Sequence, residues 1–154
     1  MKFNHVGISV TDIDRSIAFY RDMLGMEQLC DVFPFSGADY EAIMDIPGVT
    51  GRMCMIGKNN LQLELFEFTK SKAKDKEYPV SDRGYSHFGV EVDDVAAAYD
   101  KLKSAGVRIH CPVITFVGGG VKAAYCRDPD GNVFEILQMG KATQSTARAT
   151  ATAG

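Results

Sequence analysis

Two segments of the sequence repeat the same pattern, and this internal repeat constrains the fold more than any other feature. Residues 3–10 read aromatic, polar, His, apolar, Gly, apolar, polar, Val, and residues 85–92 read the same. Each half later contains a carboxylate between two apolar residues, at Glu64 and at Glu135. Self-similarity of this kind predicts one supersecondary unit used twice. The 154 residues suffice for one ordinary domain or for two small ones that share a sheet.

Hydrophobic periodicity predicts the same order of elements in both halves, namely a strand, a helix and then three strands. Alternation with period two predicts the first strand of each half, and helical spacing after an acidic capping residue predicts the helix. Gly25 and Gly106 mark the ends of the two helices. The predicted strands cover residues 3–10, 29–35, 52–56, 61–68, 86–92, 108–115, 121–126 and 133–139.

The segments between these elements are polar or rich in glycine. Residues 40–51, which contain Pro47-Gly48, predict a loop, and Gly118-Gly119-Gly120 predicts a hairpin turn. An Ala/Thr-rich end without apolar periodicity predicts a disordered tail. The expected boundaries are 1–68 for the first module, 69–83 for a linker, 84–140 for the second module and 141–154 for the tail.

Composition excludes several classes of partner. A hydrophobic content of 45% supports a real core, while a net charge of −3 offers no positive footprint for nucleic acid or for an anionic membrane. No apolar run reaches the roughly 20 residues of a membrane span. Four cysteines are enough for two disulfides. Their irregular spacing and the absence of a secretory signal nevertheless predict reduced, buried thiols and a cytoplasmic location.

His5, Glu64, His87 and Glu135 are the strongest candidates for a functional site. The two His are 87 − 5 = 82 positions apart and the two Glu are 135 − 64 = 71 apart, so only a repeated fold would bring them together. Strand parity turns His5 and Glu64 away from the apolar face that meets the helix. Two imidazoles and two carboxylates suit a divalent ion. The alternative is a hydrogen-bonded His and a solvent-facing Glu in each half, and His110, which has no repeat partner, receives no role.

Three further residues are candidates for substrate binding. Tyr40 lies in the predicted loop, which has the length of a lid over a cleft but is equally compatible with an ordinary connection. Arg52 and Lys122 carry positive charges that suit a substrate carboxylate or phosphate. The alternative reading of both is surface charge.

The sequence resembles the vicinal oxygen chelate superfamily, which includes glyoxalases, extradiol dioxygenases and bleomycin-resistance proteins. The resemblance covers about residues 3–140 and rests on four motifs. These are His5-Val6-Gly7-Ile8, Ser16-Ile17-Ala18-Phe19-Tyr20, His87-Phe88-Gly89-Val90 and Asp128-Pro129-Asp130-Gly131-Asn132 before Phe134-Glu135-Ile136. It implies an α+β fold in which two tandem βαβββ modules form an open, incompletely closed mixed barrel around a metal cleft.

The resemblance also implies a ligand set. Family members place metal ligands on the first and last strands of each module, where this chain has His5, Glu64, His87 and Glu135. That quartet is similar to the one in lactoylglutathione lyases, which typically carry a glutathione-binding Asn shortly after the first Glu. This chain has Phe66-Glu67-Phe68-Thr69 there, so the resemblance does not extend to that Asn. Chains of the family often dimerise, and the resemblance therefore includes a homodimer among the expected states.

Three functions are compatible with these residues. The first hypothesis is an isomerase or lyase that acts on a small oxygenated substrate through a metal-bound enediolate, with Glu64 or Glu135 as general base. One divalent ion per site, Ni, Co, Mn, Fe(II) or Zn, suits that donor set. The second is an extradiol-type dioxygenase that uses His5, His87 and Glu135 as a facial triad for Fe(II). The third is a binding protein that sequesters a small molecule without chemistry.

Overall fold

A computed structural model describes residues 2–70, 78–116 and 120–140 of the chain. Its internal contacts divide the protein into two compact units, Met1–Glu77 (unit 1) and Tyr78–Gly154 (unit 2). Each unit contains one sheet, and neither sheet closes into a barrel within the described residues. The prediction of an α+β fold with open sheets is therefore confirmed.

Unit 1 consists of five strands and two helices. The elements are β1 (Val6–Val10), α1 (Ile13–Leu24), β2 (Glu27–Gln28), β3 (Phe33–Ser36), α2 (Ala38–Met44), β4 (Thr50–Lys58) and β5 (Leu61–Phe68). The sheet has the order β1-β5-β4-β2, and β3 also pairs with β4. The first and last strands, β1 and β5, are neighbours and run parallel, whereas β4 and β5 form an antiparallel hairpin.

Unit 2 repeats this topology with shorter outer strands. Its elements are β6 (Phe88–Glu91), α3 (Val95–Ser104), β7 (Ile114–Thr115), β8 (Val121–Arg127) and β9 (Val133–Met139). The sheet has the order β6-β9-β8-β7, with β6 and β9 parallel. The predicted bounds of β5 and β9 match the observed strands, because strict alternation between two turns defines both ends.

Each helix packs on one face of its own sheet. On α1 and β5, Ile13, Tyr20, Leu63 and Leu65 are buried. The corresponding residues of unit 2 are Val95, Leu102, Phe134 and Ile136. Each such side chain contributes roughly 1.5–3 kcal/mol when it is fully buried. These residues define the helix face of each sheet, and the opposite face is called the open face below.

Side chains from the last strand hold both helix starts. Asp12 caps α1 and Asp94 caps α3, as their side chains predict. In addition, the Glu67 carboxylate accepts a hydrogen bond from the Ile13 N–H at 2.8 Å, and the Gln138 side chain accepts one from the Val95 N–H at 3.3 Å. Since 67 + 71 = 138 and 13 + 82 = 95, these contacts obey the same offsets as the candidate ligands. The repeat therefore extends to individual hydrogen bonds.

Three predicted elements are wrong. Residues 40–51 are not only a loop, because α2 forms over Ala38–Met44 and packs Tyr40 and Met44 against a buried cluster around Phe35. The predicted strand over 29–35 is interrupted before β3, and only Ile114–Thr115 of the predicted strand over 108–115 pairs regularly. In the segment over 108–115, the His110 N–H donates to the Tyr125 carbonyl oxygen. Pro112 follows two residues later and has no N–H, so it cannot continue the ladder.

Several predictions lie wholly or partly outside the described residues. These are the linker over residues 71–77, the glycine turn over 117–119 and the tail over 141–154. The module boundaries stay predictions. No helix in the described part of the chain is long and apolar enough to cross a membrane. All four cysteines are free thiols, but only Cys54 and Cys126 are buried, so the expectation of burial is wrong for the exposed Cys111.

Candidate metal centre

In unit 1, His5 and Glu64 form a pair on the open face. The His5 Nε2 lies 3.1 Å from a Glu64 carboxylate oxygen, and 38% and 18% of the two side chains are exposed. The other ring nitrogen, Nδ1, donates to the Asn4 side-chain carbonyl at 2.6 Å. That contact orients the ring so that Nε2 faces Glu64. A His ligand is commonly held in this way by an acceptor on its second nitrogen.

Unit 2 contains the matching pair, His87 and Glu135. Nε2 of His87 lies 3.6 Å from a Glu135 carboxylate oxygen, with 25% and 18% of the side chains exposed. Nδ1 contacts the Ser86 hydroxyl at 3.0 Å. Ser86 occupies the repeat position of Asn4, since 4 + 82 = 86. Each unit therefore places a His Nε2 next to a carboxylate oxygen on the open face of its own sheet.

A glycine beside each carboxylate explains the His-apolar-Gly motif. In the parallel ladders Gly7 is opposite Glu64, and Gly89 is opposite Glu135. A Cβ on Gly89 would lie 3.0 Å from a Leu137 methyl carbon and 3.5 Å from a Glu135 carboxylate oxygen. The missing side chain thus leaves space for Glu135 to reach the His on the neighbouring strand.

Tyr125 is a candidate that the sequence did not suggest. Its hydroxyl lies 3.2 Å from the His87 Nε2, and the two rings are 4.5 Å apart. Burial, followed by the negative charge of Glu135, raises the pKa of Tyr125, so its hydroxyl stays protonated and can donate. The signal was available in the β8–β9 hairpin, whose register sets Tyr125 opposite Glu135. A search for repeated residues misses it, because the same position in unit 1 is Met55, opposite Glu64.

The donor set of each unit fits half of a metal centre. A divalent ion bound by the imidazole Nε2 and the carboxylate oxygen would replace the direct contact between these two atoms. Within neither unit do the described residues group three or more His, Cys, Asp or Glu side chains where an ion could bind. Two donors fall short of the four to six ligands that such ions require. Neither pair by itself therefore supplies enough ligands for such an ion.

Arg52 and Lys122 are not brought together with the two pairs. Arg52 contacts Glu67 at 2.7 Å and Asp14 at 3.0 Å, which places it on the helix face of unit 1. The hydrogen bond to Glu67 is the largest cause that raises the Arg52 pKa, and the hydrogen bond to Asp14 is the next cause in the same direction. Lys122 is exposed and is opposite Gln138, the residue that contacts the α3 start. Both cations thus lie on the face opposite to Glu64 or Glu135.

Tyr40 lies on the open face of unit 1 within an aromatic cluster. Its ring is 5.2 Å from that of Phe35, which in turn contacts Phe66 and Phe68. Phe66 follows Glu64 by two positions on β5, so it shares the open face with that carboxylate. The cluster forms an apolar surface beside the His5–Glu64 pair.

A groove of about 360 Å³ lies on the other side of Glu64 in unit 1. Gln62 and Gly57, which are paired in the ladder, line it together with Glu27 and Lys58. A Cβ at Gly57 would approach a Leu29 methyl carbon to 2.9 Å and the Leu61 carbonyl oxygen to 3.1 Å. The groove contains charges of both signs next to the candidate ligand.

His110 and the Asp-Pro-Asp-Gly-Asn turn have structural interactions. His110 Nε2 accepts a hydrogen bond from the Arg127 side chain at 3.0 Å. The buried Asp128 carboxylate accepts from the backbone N–H groups of Asp130 and Asn132 at 2.9 and 2.8 Å. These bonds close the β8–β9 turn. The turn therefore fixes the hairpin register that sets Tyr125 opposite Glu135.

A family model described as the glyoxalase/bleomycin resistance protein/dioxygenase superfamily matches residues 2–136. The chain belongs to this superfamily. Residues of both candidate pairs fall inside the matched range. The resemblance stated from the sequence motifs is therefore confirmed, and the family is one whose members bind a divalent metal.

Curated relatives of similar length include lactoylglutathione lyases. The lyase of Haemophilus influenzae is 29% identical over 94% of this chain and 97% of its own length. The probable lyase of Vibrio parahaemolyticus is 28% identical over 90% and 91%. A probable chloroplastic lyase of Arabidopsis thaliana is 32% identical over 88% of this chain, which spans only 35% of that relative.

Two solved structures share the fold of this chain. A glyoxalase family protein from Bacillus cereus has a TM-score of 0.80 at 17% identity, covering 90% of this chain and 94% of its own. A genomically encoded fosfomycin resistance protein from Listeria monocytogenes has a TM-score of 0.64 at 17% identity, with 94% and 98% covered. The fold is thus shared by proteins that are named for different functions, and function must be argued from the site.

Proposed function

We propose that the protein is a divalent-metal-dependent lyase or isomerase of the glyoxalase type that acts on a small vicinal hydroxy-carbonyl substrate. The observation that carries the proposal is the pair of repeat-matched His–Glu contacts, each with the second ring nitrogen already engaged. The lactoylglutathione lyases among its relatives support the same reaction class.

In this proposal His5, Glu64, His87 and Glu135 together hold one ion, for which Ni, Co, Mn, Fe(II) and Zn are suitable by donor type. When bound, the ion supplies Lewis-acid polarisation of substrate oxygens. Asn4 and Ser86 position the two imidazoles through Nδ1. Gly89 leaves space beside the Glu135 carboxylate, and Gly7 is opposite Glu64 in the parallel ladder of unit 1.

Glu64 and Glu135 are the proposed proton carriers. Each carboxylate is partly exposed and lies beside an imidazole that can stabilise its charge. Removal of a proton next to a polarised carbonyl and its return to the adjacent atom requires one such group within hydrogen-bond reach. When His87 Nε2 binds the ion, the Tyr125 hydroxyl, which remains protonated, is free to donate to a substrate oxygen instead. Removing it affects turnover more than metal binding.

Unit 1 supplies surfaces for the rest of the substrate. The aromatic cluster around Phe35 suits an apolar part, whereas the groove with Glu27, Lys58 and Gln62 suits a part that carries amino and carboxylate groups. We assign Tyr40 to the apolar wall. Arg52 and Lys122 are not assigned to substrate binding, because both side chains lie on the helix faces of their sheets.

The deciding experiment measures two quantities in the wild type, His5→Ala and His87→Ala. Elemental analysis gives the metal content, and an assay for the formation of lactoylglutathione gives the activity. Expected results are near one metal per site in the wild type, and loss of metal and activity in both variants. The exposed Glu91→Gln serves as a folded control with normal metal content. A wild type that binds no metal after reconstitution overturns the proposal and leaves a binding protein.

Two outcomes refine the assignment. Iron that is retained in Glu64→Ala, together with ring-opening of a catechol, identifies the facial triad of His5, His87 and Glu135 and moves the function to a dioxygenase. Mixing His5→Ala with His87→Ala chains tests where the site forms. Recovery of metal binding in the mixture means that two copies of the chain contribute one pair each, and no recovery means that one chain supplies both.

A further inference from the structure

Two cysteines of unit 1 contact each other's backbone at the point where the sheet is interrupted. The Cys54 thiol donates to the Cys30 carbonyl oxygen at 3.2 Å. In return, the Cys30 sulfur accepts a hydrogen bond from the Met55 N–H at 3.3 Å. The Cys54 sulfur therefore lies beside the main chain of Cys30, and the Cys30 sulfur lies beside the main chain next to Cys54.

The strand register explains this arrangement. Glu27 and Gln28 of β2 are opposite Gly57 and Ile56 of β4, and the Leu29 N–H continues the ladder by donating to the Met55 carbonyl oxygen at 2.8 Å. Extension of this register by one residue, past the end of β2, sets Cys30 opposite Cys54. Directly opposed residues on antiparallel strands have Cα atoms about 4.5–5.5 Å apart, which falls within the range of disulfides.

The two thiols differ in access. Cys54 is fully buried, whereas Cys30 is partly exposed. Burial, followed by the charge that Cys30 would carry as a thiolate, raises the pKa of Cys54 to about 11. An oxidant from solvent therefore meets Cys30 first, with a protonated thiol held next to it.

We propose that Cys30 and Cys54 form a peroxide-oxidisable site that closes into a reversible disulfide. The Cys30 sulfur attacks one oxygen of a hydroperoxide, the O–O bond breaks, and Cys30 becomes a sulfenic acid while water or an alcohol leaves. The Cys54 sulfur then attacks the Cys30 sulfur, the S–O bond breaks and a second molecule of water leaves. The peroxide gains two electrons, the two thiols lose them, and a small thiol restores the reduced pair.

The disulfide would act on the strand that supports Glu64. Cys30 at present accepts from the Met55 N–H, and Met55 is the residue opposite Glu64 in the β4–β5 ladder. Drawing the Cys30 sulfur toward Cys54 withdraws that acceptor. Oxidation of the two thiols would thereby change the hydrogen bonding of Met55, the residue opposite Glu64 on the open face of the same sheet.

Unit 2 provides an internal comparison. His110 donates through its N–H to the Tyr125 carbonyl oxygen as Leu29 does to Met55, so Cys111 is the repeat counterpart of Cys30. The thiol partner is absent there, because Met55 corresponds to Tyr125 and the position that corresponds to Cys54 is therefore Ala124 (54 + 70 = 124). Cys111→Ser therefore removes an exposed thiol without touching the proposed site.

The test is oxidation of Cys111→Ser protein with a stoichiometric amount of hydrogen peroxide, followed by thiol counting after denaturation and non-reducing peptide mapping. That variant has three thiols, and the expected result is one remaining thiol with the Cys30 and Cys54 peptides joined. Reduction with dithiothreitol should restore all three. The Met55 amide resonance should shift on oxidation, and that of Tyr125 should not.

A second variant separates a disulfide from simple oxidation. In Cys54→Ser the Cys30 sulfenic acid has no partner, so dimedone should label Cys30 in a large fraction of the chains. Three thiols after peroxide, or loss of the Cys30 thiol while Cys54 remains free, would overturn the proposal. Absence of dimedone labelling in Cys54→Ser would overturn it equally, since Cys30 would then not be the group that reacts first.

Discussion

Unit 1 and unit 2 have the same framework but different open faces. Both place a His directly before the first strand and a Glu on the last, and both hold the helix start with a side chain of the last strand. Opposite Glu64 the hairpin carries Met55, whereas opposite Glu135 it carries Tyr125. The next positions along the hairpins are Met53 with Phe66 in unit 1 and Ala123 with Leu137 in unit 2.

This difference indicates that the two units, which share one framework, are suited to different tasks in the proposed function. Unit 1 adds bulky apolar side chains and helix α2, which suit contacts with the non-reacting part of a ligand. Unit 2 adds a hydroxyl beside the His, which suits proton handling. In the proposed function the two His–Glu pairs bind the same ion, so the same residue types are needed in both units. The surrounding side chains do not contact the ion and can therefore differ.

The largest expected effect concerns the two carboxylates. Glu64→Gln and Glu135→Gln should each lower kcat/KM by about 10²- to 10⁴-fold, because an amide can neither carry the proton nor bind the ion as an anion. Steady-state kinetics with metal analysis would distinguish the two units. The variant that retains its metal yet loses turnover identifies the base. Near-normal activity of either variant would contradict the shared site.

Gly51→Ala tests the packing that belongs to unit 1 alone. A Cβ there would lie 2.3 Å from the Glu67 carbonyl oxygen and 2.5 Å from the Phe35 ring, so the backbone or the aromatic cluster must shift. We expect a loss of about 3 kcal/mol in the free energy of unfolding, measured by urea denaturation.

The control for Gly51→Ala is Val121→Ala at the corresponding position of unit 2, opposite Met139. Val121 is half-buried, so this truncation should cost only about 1 kcal/mol. Equal losses in the two variants would mean that the aromatic cluster does not confine Gly51.

Tyr125→Phe tests the hydroxyl that belongs to unit 2 alone. We expect turnover to fall about tenfold, which corresponds to the loss of one hydrogen bond in the transition state, while metal content stays normal. Met55→Leu in unit 1 is the matched control and should change turnover little. A Tyr125→Phe enzyme that loses its metal would instead assign the hydroxyl to the support of His87.

The smallest effect is a fall in stability at alkaline pH. Burial raises the pKa of Cys54 to about 11 and that of Cys126 to about 12 from the usual 9.0. The folded state therefore binds these protons more tightly than the unfolded state, and its advantage, complete below pH 9, is lost as the pH rises through 11 and 12.

Thermal melts between pH 8 and 11 would measure this decline. Cys126→Ala should give a shallower slope than the wild type, because one of the two contributing thiols is removed. The effect of Cys54→Ala should be smaller over the same range, since its pKa is raised less. Identical slopes in all three proteins would show that other groups dominate.

The sequence by itself determined the repeat, the first strand and helix of each half, and the pairs of candidate ligands. These features depend on local signals, namely alternation, Asp caps and the His-apolar-Gly motif, which act within a few residues. The last strand of each half could be predicted for the same reason. The sequence was also sufficient to identify the superfamily, since each motif that carries the resemblance is contiguous in the chain.

Only the tertiary structure decided α2, the interruption after Leu29, and the roles of Arg52, Lys122 and Tyr125. Helix α2 has no capping side chain at Gly37 and depends on packing against Phe35, which is a contact between separate segments. Which face a charged residue occupies follows from the register of its strand, because a shift of one residue reverses every side chain. Tyr125 gains its meaning only from a hairpin pairing that places its hydroxyl beside His87.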